Sequence, residues 1–327
     1  MTASPTQSDD RLVGPDAAGI AAAGSALRNG KLVAFPSETV YGLGADATND
    51  NAVAAIYAAK GRPTFNPLIV HVASVGAARQ FVEFDERAER LCAQFCPGAL
   101  SLVLPRRADC SLSLLVSAGL DSVAIRIPSH PVAQALLRQC QLPIAAPSAN
   151  RSGAVSPTRA SHVLAGWPDP QADGPALIID GGACAIGVES TVIDLTTPTT
   201  TLLRPGGIAL EEIEALVGPV VIATSDDNAP KSPGMLARHY SPDTPVYLNA
   251  TGGKDGGLFL AFGANDGGSS YNLSPQRNLR EAAANLFSLL RRLDALGANS
   301  ISVAPIPNHG LGRAINDRLS RAATRAF

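Results

Sequence analysis

Two cations one residue apart, Lys60 and Arg62, stand in the stretch KGRPTFNPLIVH. Pro63 and Pro67 restrict the chain around them, which lowers the entropic cost of holding the charges in place. Fixed cations of this kind can stabilise charge developing on a phosphate or carboxylate. The plainer alternative is a lysine in the last turn of a helix, where a cation suits the dipole, followed by a solvated arginine. PSANRSG sets Ser148 and Asn150 at alternate positions. If the strand continues there, both point to one face, where a hydroxyl and an amide could grip phosphate oxygens; a turn capped by its own side chains fits the same residues. In VAIRIPSHP, Arg126 lies inside an apolar strand and needs an anionic partner, either an internal acid or a bound carboxylate. His71 sits in the apolar run LIVHV, a setting commoner for a core histidine than for a ligand.

Several other chemistries lack their residues. The chain has no G-x-x-x-x-G-K-[ST], no H-E-x-x-H and no G-x-S-x-G. GLGADA, from Gly42 to Ala47, fits G-x-G-x-x-A, but the next strand ends without the acid a dinucleotide ribose needs. These glycines therefore read as a tight turn with close backbone approach. Cys92 and Cys96 could share a helix face, yet no Cys/His pair lies near them for zinc; with Cys110, Cys140 and Cys184 they read as reduced, mostly buried thiols.

The elements that must position these residues follow from patterning. Helices are expected over DAAGIAAAGSALRNG, NAVAAIYAAK (N-cap Asn49 or Asp50, stop at Gly61), DERAERLCAQF, PVAQALLRQC and ALEEIEALVG. Strands are expected at KLVAF, LIVHV, LSLVLPR, SVAIRIP, LPIAAPSAN (with its polar end exposed), ALIIDGG, STVIDLT and TLLRPG, and SETVYGLGADATND reads as a loop. The mixture predicts an α/β sheet of roughly seven strands, partly parallel and partly antiparallel. PVVIATSDDNAPKSPGMLARHYSPDTP is proline-rich and reads as an interdomain linker, ordered because it holds Arg238, His239 and Tyr240 together. Beyond it, strands PVYLN, LFLAF and ISVAPI alternate with helices LREAAANLFSLLRRLDALGA and GRAINDRLSRAA, a small Rossmann-like α/β unit.

Composition agrees. The 327 residues have room for two domains, and 46 % hydrophobic with 17 % charged residues suits a soluble enzyme. A formal net charge of −2 gives no bias towards nucleic acid or membrane. The polar N-terminus has no signal-peptide pattern and no apolar run nears the ~18–20 residues of a membrane span, so a cytoplasmic place is expected. The expected division is a disordered leader at 1–15, a catalytic domain at 16–217, an ordered linker or lid at 218–243 and a small domain at 244–327.

Eight segments in order, FPSETVYGLGADA, KGRPTFNPLIVHV, CPGALSLVL, VAIRIPSHP, PIAAPSANRSGAVSPT, GVESTVIDL, LLRPGGI and SPGMLARHYSP, closely resemble the threonylcarbamoyl-AMP synthase family. The resemblance is to its two-domain form and covers residues 16–245 well. It implies a twisted, mixed seven-stranded YrdC-like α/β domain followed by a smaller Rossmann-like α/β domain. It implies adenylyl transfer: L-threonine, bicarbonate or CO2 and ATP, with Mg2+, give threonylcarbamoyl-AMP and pyrophosphate. The product would pass to a tRNA threonylcarbamoyl-transferase for threonylcarbamoyladenosine synthesis, with tRNA contact as a further expectation. The family's K-x-R and S-x-N signature falls on Lys60, Arg62, Ser148 and Asn150, expected to act in catalysis and ATP binding. Asn66, Ser122, Ser156, Arg204 and Tyr240 would complete the ATP site. Thr39, His71, Arg126, the backbone at Ala146, and Ser190 would hold threonine. The linker would fold back as a lid. Ser37 departs from the family's usual threonine, and FCPGALS from its usual Trp-Pro-Gly-Pro-type run. An RNA-binding module, a carbamoyl-phosphate-using relative and an NAD oxidoreductase are the alternatives; global charge, the lack of a zinc-finger module and the missing acid respectively weaken them.

Overall fold

The structure is a computed structural model that describes residues 9–170, 172–223, 240–254, 256–264 and 269–323. Along the chain run β1 (Leu12–Val13), α1 (Ala17–Arg28), β2 (Val33–Phe35), β3 (Gly42–Asp46), α2 (Asp50–Lys60), β4 (Ile69–His71), α3 (Val75–Ala78) and α4 (Glu86–Phe95). Next come β5 (Leu100–Pro105), β6 (Ser122–Arg126), α5 (Pro131–Cys140), β7 (Ile144–Ala145), α6 (Ala160–Gly166), β8 (Leu177–Ile179), β9 (Thr191–Asp194) and β10 (Thr201–Arg204). The remainder is α7 (Leu210–Val217), β11 (Val221–Ile222), β12 (Val246–Tyr247), β13 (Leu258–Ala261), β14 (Tyr271–Asn272), α8 (Leu279–Asp294), β15 (Ile301–Val303) and α9 (Leu311–Ala323).

The strands form a large sheet in the order β1-β8-β2-β3-β7-β4-β6-β5-β9-β10-β11 and a small one in the order β12-β15-β13-β14. The large sheet is mixed: β4 and β6 are parallel, while β2–β3, β3–β7 and β5–β6 are antiparallel. The small sheet is parallel throughout, as a Rossmann-like unit requires. The class expected from the sequence holds, but among the described residues the large sheet has eleven strands where roughly seven are expected. Three of them, β1, β7 and β11, are two residues long, too short to carry a periodicity. β1 also lies inside the expected leader, where Leu12 and Val13 extend the sheet edge beside β8. β3 occupies part of the expected loop. Gly42 and Gly44 form no turn there; they let β3 pass close to neighbours, since a Cβ on Gly44 would come within 2.8 Å of both Phe35 and Ile144.

Both faces of the large sheet are covered, which is why its central strands read as uninterrupted apolar runs. On one face Val70, Leu102, Ile125 and Ile193 pack with Val53 and Ile56 of α2 and Leu91 of α4. On the other, α1 and α5 bring Leu27, Leu136 and Leu137 against Val33, Phe35 and Ile179. Asn49 caps α2 by accepting from Asn51 and Ala52, and Gly61 ends it in the left-handed region, as the sequence pattern indicated.

The small domain's core takes in residues of the large domain. Leu286, Phe287 and Leu290 of α8 and Ile315 and Leu319 of α9 cluster with Val40, Val155 and Val188. Gly187 marks one close approach. Its φ is +77°, and a Cβ there would sit 2.4 Å from the carbonyl oxygen of Ala283 in α8. Of the expected linker, 218–223 supplies β11 and Tyr240 is buried against Phe287, with rings 5.4 Å apart; residues 224–239, with Arg238 and His239, lie outside the described residues.

Candidate active site

One row of residues crosses the large sheet: His71 pairs with Arg126, Arg126 with Ser101, Ser101 with Val192 and Val192 with Arg204. Directly paired residues project from the same face. The row therefore lays an imidazole, two guanidiniums and a hydroxyl on the face that α1 and α5 leave uncovered. Above it lies a cavity of about 40 Å³. Its walls include Arg62, His71, Arg126, Ala146, Ser148, Ser190, Arg204 and Tyr240, eight of the fourteen residues expected from the sequence. Phe35, Ser37, Val40, Gly42, Ile69, Pro147 and Glu189 complete it.

The three arginines are held, not dangling. Arg62 donates from Nε to Asn66 O at 3.1 Å and from Nη2 to Asn66 Oδ1 at 2.6 Å and Pro67 O at 2.8 Å. The two prolines thus fix a loop that clamps its own guanidinium. Burial lowers the Arg62 pKa to about 10, which still leaves it cationic at neutral pH. Arg204 donates to Ser190 O at 2.9 Å and Ser190 Oγ at 3.1 Å, and Ser190 Oγ lies 2.7 Å from Ser101 Oγ. Arg126 has the internal acid that sequence reasoning allowed but did not identify: Nη2 meets Glu38 Oε1 at 2.7 Å, in a pair that is almost wholly buried. The other Glu38 oxygen accepts from the amides of Ser129 at 3.1 Å and His130 at 3.3 Å. Burial opposes the Glu38 charge, but Arg126 outweighs it and the carboxyl stays below its ordinary pKa.

Lys60 does not line the cavity. Its Nζ donates to the carbonyls of Ser148, at 2.6 Å, and Asn150, while its own carbonyl accepts from Ser152 N at 2.8 Å. Arg151 donates to Ala59 O beside it. The K-x-R and S-x-N motifs are therefore one unit: the end of α2 grips the loop that carries Ser148, and Arg62 alone of the two cations faces the ligand space. Burial, then Arg62 and Arg151, push the Lys60 pKa well down; the two carbonyls favour the ammonium in return.

Four more expected ligands stand behind the wall. Asn66 orients Arg62, Thr39 is hydrogen-bonded to the wall residue Ser37 at 2.9 Å, and Ser156 donates to Glu189 Oε1 at 2.6 Å. Asn150 is buried, not exposed, and turns its amide to Arg151 O and Ala154 O, away from the face Ser148 uses, because the strand ends at Ala145. Ser122 is a clearer departure: it pairs with Pro105 at the far end of β6, about 13 Å from Arg126 at the usual rise per residue, and lines a separate surface hollow. Ala146 gives its N–H to Ile69 O, so its carbonyl is the group left to meet a ligand.

His71 is neutral: burial, then Arg126, lower its pKa to about 3. His162 is lowered to about 4, by burial and then Arg291. The unfolded chain protonates both near the ordinary value of about 6.5, so the unfolded state gains protons first and stability falls as pH drops from there towards 3 to 4. Between about pH 7.5 and about pH 5, His71 alone should cost about 2 kcal/mol, with a smaller, solvent-screened contribution of the same sign from His162. Urea midpoints across that interval should fall steadily, and less so in a His71→Gln variant.

The described residues do not form a magnesium cage. No group of three His, Cys, Asp or Glu side chains converges among the described residues, and Glu189, the acid on the wall, is already bonded to Ser156 and Arg318. No helix among them is long and apolar enough to cross a membrane.

The fold and cavity define a two-domain α/β protein with an arginine-lined cavity. A family model described as telomere recombination matches residues 25–206, and one described as the threonylcarbamoyl-AMP synthase C-terminal domain matches 208–324. The chain belongs to the threonylcarbamoyl-AMP synthase family, in its two-domain form. The threonylcarbamoyl-AMP synthase of Bacillus subtilis is 43% identical over 326 residues, covering 93% of this chain and 92% of its own. That of Pyrococcus abyssi is 43% identical, covering 91% and 92%. The crystal structure of P. abyssi Sua5 complexed with L-threonine matches with a TM-score of 0.87 at 39% identity, covering 95% of this chain and 97% of that one.

Proposed function

We propose that this chain makes threonylcarbamoyl-AMP from L-threonine, bicarbonate or CO2 and ATP, releasing pyrophosphate. The observation that carries the proposal is the convergence of Arg62, Arg126 and Arg204 on one cavity whose histidine is neutral. Three buried cations suit a polyanionic substrate beside a carboxylate. The crystallised P. abyssi relative, complexed with L-threonine, supports the amino-acid half of the reading.

In this reading Arg126 and Ser190 take the threonine carboxylate, with His71 and the Ala146 carbonyl around the amine and side chain. The uncharged imidazole adds no positive charge beside the amine, which must be neutral to attack CO2 and gives up one proton to solvent as the carbamate forms. The carbamate oxygen then attacks the α-phosphorus of ATP in line, and the α–β phosphoanhydride bond breaks. Arg62, Ser148 and Arg204 offset charge on the departing pyrophosphate, and Tyr240 bounds the nucleotide side. Such transfers are mostly positioning plus charge neutralisation and need no protein nucleophile. Lys60, Asn66, Asn150, Thr39 and Ser156 act by holding those groups. Mg2+ enters as part of the MgATP substrate. The adenylate then serves a tRNA threonylcarbamoyl-transferase, which implies a cytoplasmic setting; Ser122 has no role in this assignment.

Pyrophosphate release from MgATP should require both L-threonine and bicarbonate, and the acid-quenched product should carry threonine, one carbon of bicarbonate and AMP. Release that ignores threonine would overturn the proposal.

A further inference from the structure

Glu189 puts a carboxylate on the wall of a cavity otherwise built for anions. It is buried, and its charge is kept by a residue from the other domain: Arg318 of α9 donates from Nε to Glu189 Oε2 at 2.9 Å. The Arg318 side chain is fully buried, on the α9 face that also carries Ile315, Leu319 and Ala322. Its Nη1 donates to Pro205 O and to Asp317 Oδ2, both at 2.7 Å. The guanidinium carbon lies 5.3 Å from the centre of the Tyr240 ring, itself a cavity wall, and Nη2 has no hydrogen-bond partner among the described residues. A cation over that ring face is attracted by its quadrupole. One side chain thus touches two separate pieces of the cavity wall.

We propose that Arg318 is a positioning residue for the nucleotide: it cancels the charge of Glu189 and fixes Tyr240, so that the C-terminal domain completes the catalytic pocket. The inference rests on the proposed use of ATP. Without Arg318, Glu189 would either repel the phosphates or draw Arg204 away from them. Burying a wall acid with a cation from α9 makes the pocket's net charge depend on domain docking.

The test measures MgATP and L-threonine binding by calorimetry on the full chain, with pyrophosphate release and thermal unfolding in parallel. The proteins are the parent, Arg318→Met, Arg318→Lys and the double variant Arg318→Met with Glu189→Gln. Arg318→Met should weaken MgATP by about tenfold or more, the effect of one uncompensated charge several ångströms from phosphates in a protein cavity, while threonine affinity changes little. Arg318→Lys should recover part of the loss, and the charge-neutral double variant most of it. Equal losses for both ligands, or no recovery in the double variant, would make Arg318 merely structural and overturn the inference. If the parent binds MgATP but shows no threonine-dependent release, the functional proposal falls while the ATP affinities still decide the role of Arg318. A parent that does not bind MgATP overturns both.

Discussion

Replacing Arg62 with alanine should lower kcat/KM for ATP by about two to three orders of magnitude, the usual effect of deleting one preorganised donor at a charge that grows in the transition state. Three hydrogen bonds donated to Asn66 and Pro67 hold the guanidinium before any ligand arrives, so little ordering remains to be done on binding. Arg62→Lys should fall between parent and alanine, because an ammonium keeps the charge but loses the planar fork that Asn66 grips. Threonine affinity, measured directly by calorimetry, should be nearly unchanged in both. A loss of threonine binding equal to the loss in ATP turnover would show that Arg62 serves the fold of the cavity and not the phosphates.

Glu38→Gln should be the most damaging single change to stability, by about 3 to 5 kcal/mol, because it leaves the buried Arg126 guanidinium without its counter-charge. The glutamine still has one oxygen for the Ser129 and His130 amides that Glu38 now satisfies at the start of α5, so the loss reports the ion pair more than the turn. Urea unfolding with and without L-threonine gives the second half of the result. If Arg126 takes the threonine carboxylate, the ligand replaces the missing anion and stabilises the variant more than the parent. Equal ligand-induced shifts would mean that the carboxylate goes elsewhere.

Much of this arrangement could be read from the chain. Helix α2 announces both ends, with Asn49 before it and Gly61 after it, and the prolines beside Arg62 mark a loop built to hold a charge. What escaped was of two kinds. Short strands such as Ile144–Ala145 carry no period, and where that strand stops decides that Asn150 turns inward while Ser148 faces the cavity. Distant pairings leave no local trace either. Glu38 reads as one more polar letter in SETVYG, and its partner Arg126 lies 88 residues on; Glu189 and Arg318 are 129 apart. A buried arginine in an apolar strand announces that an acid exists, but not which one. Lys60 shows the converse: its place in the motif was legible, and its direction, towards backbone carbonyls, depended on a loop far along the chain.

The shared core around Val40, Val155 and Val188 has a practical meaning for the molecule's economy of surface. A chain ending after α7 would turn those valines, and the bare backbone at Gly187, out to water. An exposed apolar floor of that sort invites self-association. The shorter chain would meet itself before it met a substrate, and its failure would look like poor solubility, not lost chemistry.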